Sequence, residues 1–377
     1  MRIQSGFTTF TVTLILLLIL LAVTLLVGKL LVADRRITLN ESLYRQVMAL
    51  AEQGLSYGFG RLSAEGASCP SSIPAWSGNS FSPSGAGGSY TLTVECITPF
   101  SVVAGSTTPI APIQLRSVAS LSNSQAQAAV EARYVQSNVL AGTPAAPLTV
   151  AGGMAVSGTF TVAANPNGGG LGVPLSIWTN DYVDLNTGSG QTCHQGDYAG
   201  GCSANISQPG NKQSDIKDSD PDFPTDLVWY LFNENDDAAG WANIESRANQ
   251  IVNNCNGLGP TTTGLVIVNG DCNPGANIGT QSAPVVLIIK DGNLTINGNR
   301  QLYGLVFAYS SHPATATTDV KLSGGAVVNG ALAANYQLGK SSGGTFDAKY
   351  DEAALSNIRT GAAFQTLKQV PGSWRDW

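Results

Sequence analysis

The stretch that decides the fold is 11-TVTLILLLILLAVTLLVGKLLVA-33, close to the start of the chain. From Val12 to Val27 it contains no charged residue, and the only charge between Phe7 and Asp34 is Lys29. Since a helix rises about 1.5 Å per residue, about twenty apolar residues in a helix cross the roughly 30 Å hydrocarbon layer of a membrane. The stretch therefore predicts a membrane-spanning helix.

Helical periodicity continues beyond this apolar stretch as far as Leu62. Apolar residues recur there at steps that keep them near one face of a helix: Leu43, Val47, Leu50, Leu55, Phe59 and Leu62. No proline appears before Pro70. A secretory signal would instead have an apolar core of about 7–15 residues followed by a cleavage site. We therefore expect one helix of more than about fifty residues, with its first half in lipid and its second half packed on a soluble domain.

The residues around Gly6 and Phe7 resemble the start of a type IV pilin or pseudopilin precursor. A short leader ends in Gly6, the aromatic Phe7 would be the first mature residue, and one long half-buried helix follows. The segment 45-RQVMALAEQGL-55 is similar to the continuation of that helix in minor pilins of the PilX type. The resemblance covers roughly the first 135 residues. It implies cleavage between Gly6 and Phe7 by a prepilin peptidase and N-methylation of Phe7.

The chain departs from the pilin pattern at Thr11, because most pilins have glutamate at this fifth position of the mature chain. In the family, that buried carboxylate is thought to pair with the terminal amine of a neighbouring subunit. Its absence is a feature of certain minor pilins and of the tip pseudopilin of type II secretion. The resemblance therefore implies a subunit at or near the filament tip rather than one that polymerises repeatedly.

A single-pass anchor with an unrelated outer domain is the simpler alternative. Arg35 and Arg36 lie just after the span, against Arg2 before it, and the positive-inside tendency would then place the soluble part in the cytoplasm. Cysteine usage opposes this, because the six cysteines form pairs that are close along the chain and that indicate disulfides of an oxidising compartment. The expected pairs are Cys69 with Cys96, Cys193 with Cys202, and Cys255 with Cys272. A zinc site at Cys193, His194 and Cys202 would lack a fourth ligand.

Alternating polarity predicts strands at 89–97, 113–121 and 126–135, the last two joined as a hairpin. After a linker at 141–147, short β runs predict either a β-helix-like parallel stack over about 283–345 or a sandwich. Hairpin turns at Asn297-Gly298 and Asn329-Gly330 are a further option. Short helices are expected near 225–232, 239–252 and 353–370.

The expected fold class is α+β, with a long N-terminal helix packed on a small antiparallel sheet and followed by a mainly β domain. The expected division is a leader at 1–6, a transmembrane half-helix at 7–33, a pilin-like helix and β-meander at 34–140, and the β domain at 141–377. Within the β domain, we expect residues 165–280 to be an insertion that caps an open end of the stack; a ligand-facing lid is the alternative.

Candidate sites for chemistry are few. Asp218, Asp220 and Asp222 alternate along the chain, with Asp215 and Asp226 nearby, as oxygen ligands of calcium do. A solvated loop with Asp helix caps is the favoured interpretation of the same residues. The sequence contains no GxSxG, HExxH, P-loop or dinucleotide motif, and only two histidines, so we expect no enzyme. A polysaccharide enzyme would have to recruit Lys290, Asp291, Arg300 or Lys321.

The sequence thus predicts a minor pilin that is held in the inner membrane with its C-terminal part in the periplasm and that primes or caps a type IV pilus. Its expected partners are other minor and major pilins, the assembly machinery of the inner membrane, prepilin peptidase and a host-cell or surface ligand. Direct binding of nucleic acid is not expected, since the net charge is −6. The alternatives are a type II secretion tip pseudopilin or a membrane-anchored β-helix protein that binds or cleaves polysaccharide.

Overall fold

The computed structural model describes residues 5–64, 79–81, 87–97, 112–122, 124–154, 158–186, 189–199, 201–339 and 346–377. Two compact units divide the chain. The first unit consists of Met1–Gln136 together with Leu367–Trp377, and the second consists of Ser137–Thr366.

The first unit is a long helix packed on an antiparallel sheet, as predicted. Helix α1 (Ser5–Ala64) runs without a break for 60 residues. The sheet begins with the strands β1 (Asn79–Phe81), β2 (Gly88–Cys96), β3 (Ile113–Leu121) and β4 (Gln127–Asn138), each antiparallel to the next. The expected hairpin between β3 and β4 is confirmed, and so is the α+β fold class.

The second half of α1 packs closely on this sheet because two glycines lie at the contact. The buried face of the helix and the facing side of the sheet form one apolar core, which includes Val47, Ala51, Leu55, Leu62, Tyr90, Leu115 and Val130. A Cβ atom on Gly54 would meet the Tyr90 ring at 2.8 Å, and one on Gly58 would meet Leu115 at 2.8 Å. Any side chain at these positions would therefore push the helix away from the sheet.

The second unit is a set of short strands with helices on one side. The strands before its helical segment are β5 (Leu148–Val150), β6 (Thr159–Ala163), β7 (Ile177–Thr179), β8 (Ser189–Cys193) and β9 (Ile216–Lys217). The helices are α2 (Gln195–Tyr198), α3 (Leu227–Phe232), α4 (Ala238–Ser246) and, near the end of the unit, α5 (Glu352–Thr360). The later strands are β10 (Gln250–Val252), β11 (Gly264–Asn269), β12 (Val285–Lys290), β13 (Leu294–Asn297), β14 (Gln301–Tyr309), β15 (Val320–Ser323), β16 (Val327–Ala334) and β17 (Phe346–Lys349).

These strands pair in parallel, as stacked rungs do, and not in the antiparallel way of a sandwich. The order β10-β11-β12-β14-β16 leads to a branch point on β16. The second half of β16 pairs with β5, which continues to β7 and β9, while its first half pairs with β17, which continues to β6 and β8. The strands β13 and β15 form a separate parallel pair.

The stack is therefore assembled from two chain segments, 148–217 and 250–349, that meet edge to edge. The strand β16 lies late in the second unit but pairs with β5, the first strand of that unit. Parallel pairing therefore extends well beyond the region 283–345 that was predicted to form a stack. The rungs also differ in length: Gly264 pairs with Val285, Val285 with Gly304, and Gly304 with Gly330. This unequal spacing explains why no repeat is visible in the sequence.

The prediction of hairpin turns at Asn297-Gly298 and Asn329-Gly330 is wrong. Gly298 lies between β13 and β14, which belong to different sheets, and Gly330 lies inside β16. Gly330 has φ +137°, and a Cβ there would overlap the carbonyl oxygen of Gly304, its partner on the neighbouring rung. Glycine is needed at this position because φ is positive and the neighbouring backbone occupies the place of a Cβ atom.

The main sheet of the stack is buried on both sides. Alternate residues of β11, β12 and β14 point either into the stack, as Val266, Leu287 and Val306 do, or outward, as Ile267 and Phe307 do. The outward side chains are covered by helices, whose buried residues include Leu231, Phe232, Trp241, Ile244, Leu355 and Ile358. The prediction that residues 165–280 cap an open end is therefore wrong: β7 to β11 belong to the stack, and α3 and α4 cover the side of its sheet.

The end of the chain returns to the first unit. The strand β18 (Gln365–Gln369) joins the free side of β4, and β19 (Arg375–Asp376) also pairs with β4. The predicted helix at 353–370 is thus half correct, because α5 ends at Thr360 and a strand follows. Residues 367–377 belong with the antiparallel sheet of the first unit rather than with the β domain that was expected to contain them.

The close helix–sheet contact predicts opposite effects of one substitution at two helical glycines. Gly54→Ala should lower the free energy of unfolding by about 1–3 kcal/mol, because overpacking outweighs the better helix propensity of alanine. Gly60→Ala is the matched control, since a Cβ there meets nothing within 4 Å, and it should raise stability by up to about 1 kcal/mol. Thermal unfolding of both variants in detergent tests this. Equal stabilisation by both would contradict the close contact.

Candidate functional site: the apolar half of helix α1

The first half of α1 exposes a continuous apolar surface. From Phe10 to Val32 the large apolar side chains remain between 48% and 65% exposed, although Leu, Ile and Val are normally among the most buried residues. By length and composition this helix can cross a membrane. Each such side chain, fully buried, would contribute roughly 1.5–3 kcal/mol. The surface therefore requires lipid or other protein around it.

Two threonines in this half are satisfied by the helix itself. Thr13 Oγ1 donates to the carbonyl of Phe10 and Thr24 Oγ1 to the carbonyl of Leu21, each at 2.9 Å. These bonds leave no hydroxyl donor of Thr13 or Thr24 exposed to an apolar environment, where an unpaired donor is costly. Both threonines are thus compatible with burial in lipid.

Charge marks where the apolar half ends. Lys29 is the single charge within it, and Asp34, Arg35 and Arg36 follow. Further along the helix Arg45 donates to Glu41 at 2.6 Å across an exposed i,i+4 pair, which contributes little to stability. The apolar surface and the sheet-packed surface therefore occupy separate halves of one helix.

The predicted processing site lies at the beginning of this helix. Gly6 and Phe7 have helical backbone, and Thr11 follows about one turn after Phe7. The side chains of residues 5–9 lie outside the part of the chain that is described. Cleavage at Gly6 and the role of Thr11 stay predictions from the sequence.

Two of the three predicted disulfides are confirmed. Cys193 is bonded to Cys202, and Cys255 to Cys272. Cys96 also forms a disulfide, whereas its predicted partner Cys69 lies outside the described residues. Because Cys193 and Cys202 are bonded to each other, they are not zinc ligands beside His194.

The three aspartates predicted to bind calcium occupy different environments. Asp218 accepts from the Val183 amide and pairs with Lys212, while Asp220 accepts from the Trp178 indole at 2.7 Å. Asp222 is exposed. Within the described residues, no group of three or more His, Cys, Asp or Glu side chains could hold a metal ion. Calcium at these aspartates stays a prediction without geometric support.

The neighbouring carboxylates have structural roles. Asp215 is fully buried and accepts hydrogen bonds from the hydroxyls of Ser176, Thr192 and Ser207 at 2.5–2.6 Å. Asp226 is the N-cap of α3 and accepts from the amides of residues 228 and 229. The interpretation as a solvated loop with helix caps is therefore correct for Asp226, which caps α3, and wrong for Asp215, which is buried.

The residues considered for a polysaccharide enzyme do not form one group. Lys290 pairs with Glu245 at 3.1 Å and lies over the Trp241 ring. Asp291 instead accepts from the amide and hydroxyl of Ser311. Lys321 lines a separate polar cavity on β15, which sequence reasoning missed because the register of β13 and β15 is not visible in the sequence.

Comparison with known proteins identifies the helical region. Residues 5–56 match the family model described as PilX N-terminal. Residues 5–56, which form most of helix α1, are thus similar to the N-terminal segment of the PilX family. No curated protein sequence matches the chain.

A solved structure, the crystal structure of competence-associated pilin ComZ from Thermus thermophilus, was also matched. The alignment covers 89% of this chain and 97% of that chain at 11% identity, with a TM-score of 0.25. That score is too low to support any argument from the fold of that protein.

The exposed apolar half predicts a position-dependent effect of charge. Leu20→Arg should release much of the protein from membranes, because an arginine at the centre of a span costs about 2.5–3.5 kcal/mol. Leu39→Arg adds the same charge beyond Arg36 and should leave membrane retention unchanged. The measurement is the membrane-bound fraction after alkaline extraction. Equal retention of both variants would show that residues 12–33 do not span the membrane.

Proposed function

We propose that this chain is a minor pilin that primes the assembly of a type IV pilus or occupies its tip. The observation that supports the proposal most directly is the PilX-type helix at residues 5–56 with threonine at position 11. The exposed apolar half of that helix first lies in the inner membrane. It is then drawn into the filament, where the equivalent helices of other pilins cover the same surface.

Thr11 suits a subunit that is incorporated once. A carboxylate in an apolar filament core needs a cationic partner, since an unpaired buried charge is expensive. The terminal amine of an adjacent subunit supplies that partner in pilins with glutamate. A subunit with threonine cannot form this pair with the next amine, so it fits a position that no further equivalent subunit has to join.

The disulfides support an orientation with both folded units outside the cytoplasm. The bonds Cys193–Cys202 and Cys255–Cys272 persist in oxidising compartments such as the periplasm and are rare in the cytosol. The second unit then faces outward in the assembled filament and is available to bind a surface. The expected partners are the prepilin peptidase, the inner-membrane assembly machinery, and other minor and major pilins.

Position in the filament tests the proposal. Sheared filaments from cells with the native chain should show antibody labelling at one end and a low ratio of this chain to major pilin. Cells without the chain should have fewer filaments. Thr11→Glu should move part of the labelling along the shaft, because the restored carboxylate can pair with an amine, whereas Thr11→Ser, the matched control, should keep it at the end.

Labelling of the native chain along the whole shaft would contradict the tip assignment. Normal filaments without the chain, together with loss of protein secretion, would assign it instead to a type II secretion pseudopilus.

A further inference from the structure

The outer side of β13 and β15 holds a polar cavity that the pilin function does not use. Its volume is about 310 Å³, at the lower end of the range for small-molecule sites. Among the described residues its lining consists of Asp271, Cys272, Asn273, Asn293, Thr295, Asp319 and Lys321. These residues come from successive rungs, because the backbone of Cys272 forms a parallel β-bridge with Leu294, and Leu294 pairs in turn with Val320.

Hydrogen bonds between rungs fix the positions of the cavity side chains. Asp271 Oδ1 accepts from the amide and the side-chain Nδ2 of Asn293, at 2.8 and 3.0 Å. Asn293 Oδ1 in turn accepts from the Asp319 amide at 3.0 Å. Thr295 and Lys321 are direct partners on adjacent strands. The wall is therefore ordered before any ligand arrives, which lowers the entropic cost of binding.

The cavity retains both hydrogen-bond donors and acceptors. Within the described residues, Asp271 Oδ2, the Thr295 hydroxyl and the Lys321 ammonium make no hydrogen bond or ion pair. Hydrogen bonds from Asn293 hold the pKa of Asp271 below its usual value, so the group is a carboxylate at neutral pH. A ligand that complements this set must both donate and accept at short intervals, as a sugar ring with adjacent hydroxyls does.

The charge of the Asp271 side chain limits which sugars can bind in the cavity. The Asp271 carboxylate lines the cavity, and it can only accept hydrogen bonds. An acidic group placed against Asp271 would be repelled by it, which disfavours uronic acids, sulfated sugars and phosphates. A hydroxyl group can donate to Asp271 while another accepts from Lys321, and an amino group can replace the first.

We propose that this cavity is a binding site for a glycan composed of neutral or amino sugars. The proposal rests on the proposed function, because a surface-facing unit on a filament is where such a site would meet a glycan. It deepens that function by naming the chemical class of the surface ligand and the side chains that contact it.

The test is a set of binding titrations with the full chain in a detergent that has no sugar headgroup. The probes are maltotriose, the glucosamine trimer and trigalacturonate, which differ in charge but are similar in size. We expect the glucosamine trimer and maltotriose to bind and trigalacturonate to bind most weakly. The proposal is overturned if neither the glucosamine trimer nor maltotriose binds, or if trigalacturonate binds most tightly of the three.

Variants of the cavity locate the binding. Asp271→Asn should weaken binding of the glucosamine trimer by about tenfold or more, and Thr295→Val that of maltotriose by about threefold to tenfold, as expected for one charged and one neutral hydrogen bond. Thr317→Val, an exposed threonine outside the cavity, is the matched control and should bind as the native chain does. Thermal unfolding of each variant separates lost contacts from lost fold. Sugar binding unchanged in both cavity variants overturns the proposal.

Calcium binding and filament assembly separate the glycan site from a metal site and from the pilin role. Calcium alone should not bind, and calcium binding that Asp271→Asn abolishes, without any sugar binding, would overturn the glycan assignment. Filament number and tip labelling should be normal in cells with Asp271→Asn. Failure of sugar binding with normal filaments therefore contradicts this inference alone, whereas abnormal tip labelling of the native chain contradicts the proposed function.

Discussion

The structure depends on one constraint: a helix whose first half cannot be buried by its own chain. Within the described residues the large apolar side chains from Phe10 to Val32 stay about half exposed or more, and burying them is worth tens of kcal/mol at about 1.5–3 kcal/mol each. Such a surface is tolerated only where lipid or neighbouring helices replace water. Membrane anchoring and the proposed packing among other subunits would thus use the same side chains.

Each folded unit is stabilised without using the apolar half of this helix. Its second half is fixed to the sheet by Gly54 and Gly58, which let the backbones approach closely, and the first half belongs to the same unbroken helix. The second unit is stabilised separately, by parallel rungs that meet at β16 and β5 and by helices over one side of its sheet. The polar side chains of the cavity on β13 and β15 lie outside that core, where the proposed glycan would contact them.

The sequence predicted the helix, the three antiparallel strands and two disulfides because each depends on local periodicity or proximity along the chain. It did not predict that β16 pairs with β5 or that β18 returns to β4, since nothing local encodes contact between residues so far apart. Asp215 and Asp218 resemble an acidic loop in the sequence for the same reason: their partners Ser176 and Val183 come from earlier rungs. The candidate cavity on β13 and β15 likewise appears only when the register places Thr295 beside Lys321.

The measurement that tests the account most directly is the mature N-terminus of the native chain, determined by intact mass and terminal sequencing from membranes and from sheared filaments. The account predicts a chain that begins at N-methylated Phe7, because the exposed helix would then enter a filament as a processed pilin. A chain that still begins at Met1 in both fractions, and that is absent from filaments, would contradict it. The apolar half of α1 would then be a permanent membrane anchor for the two folded units.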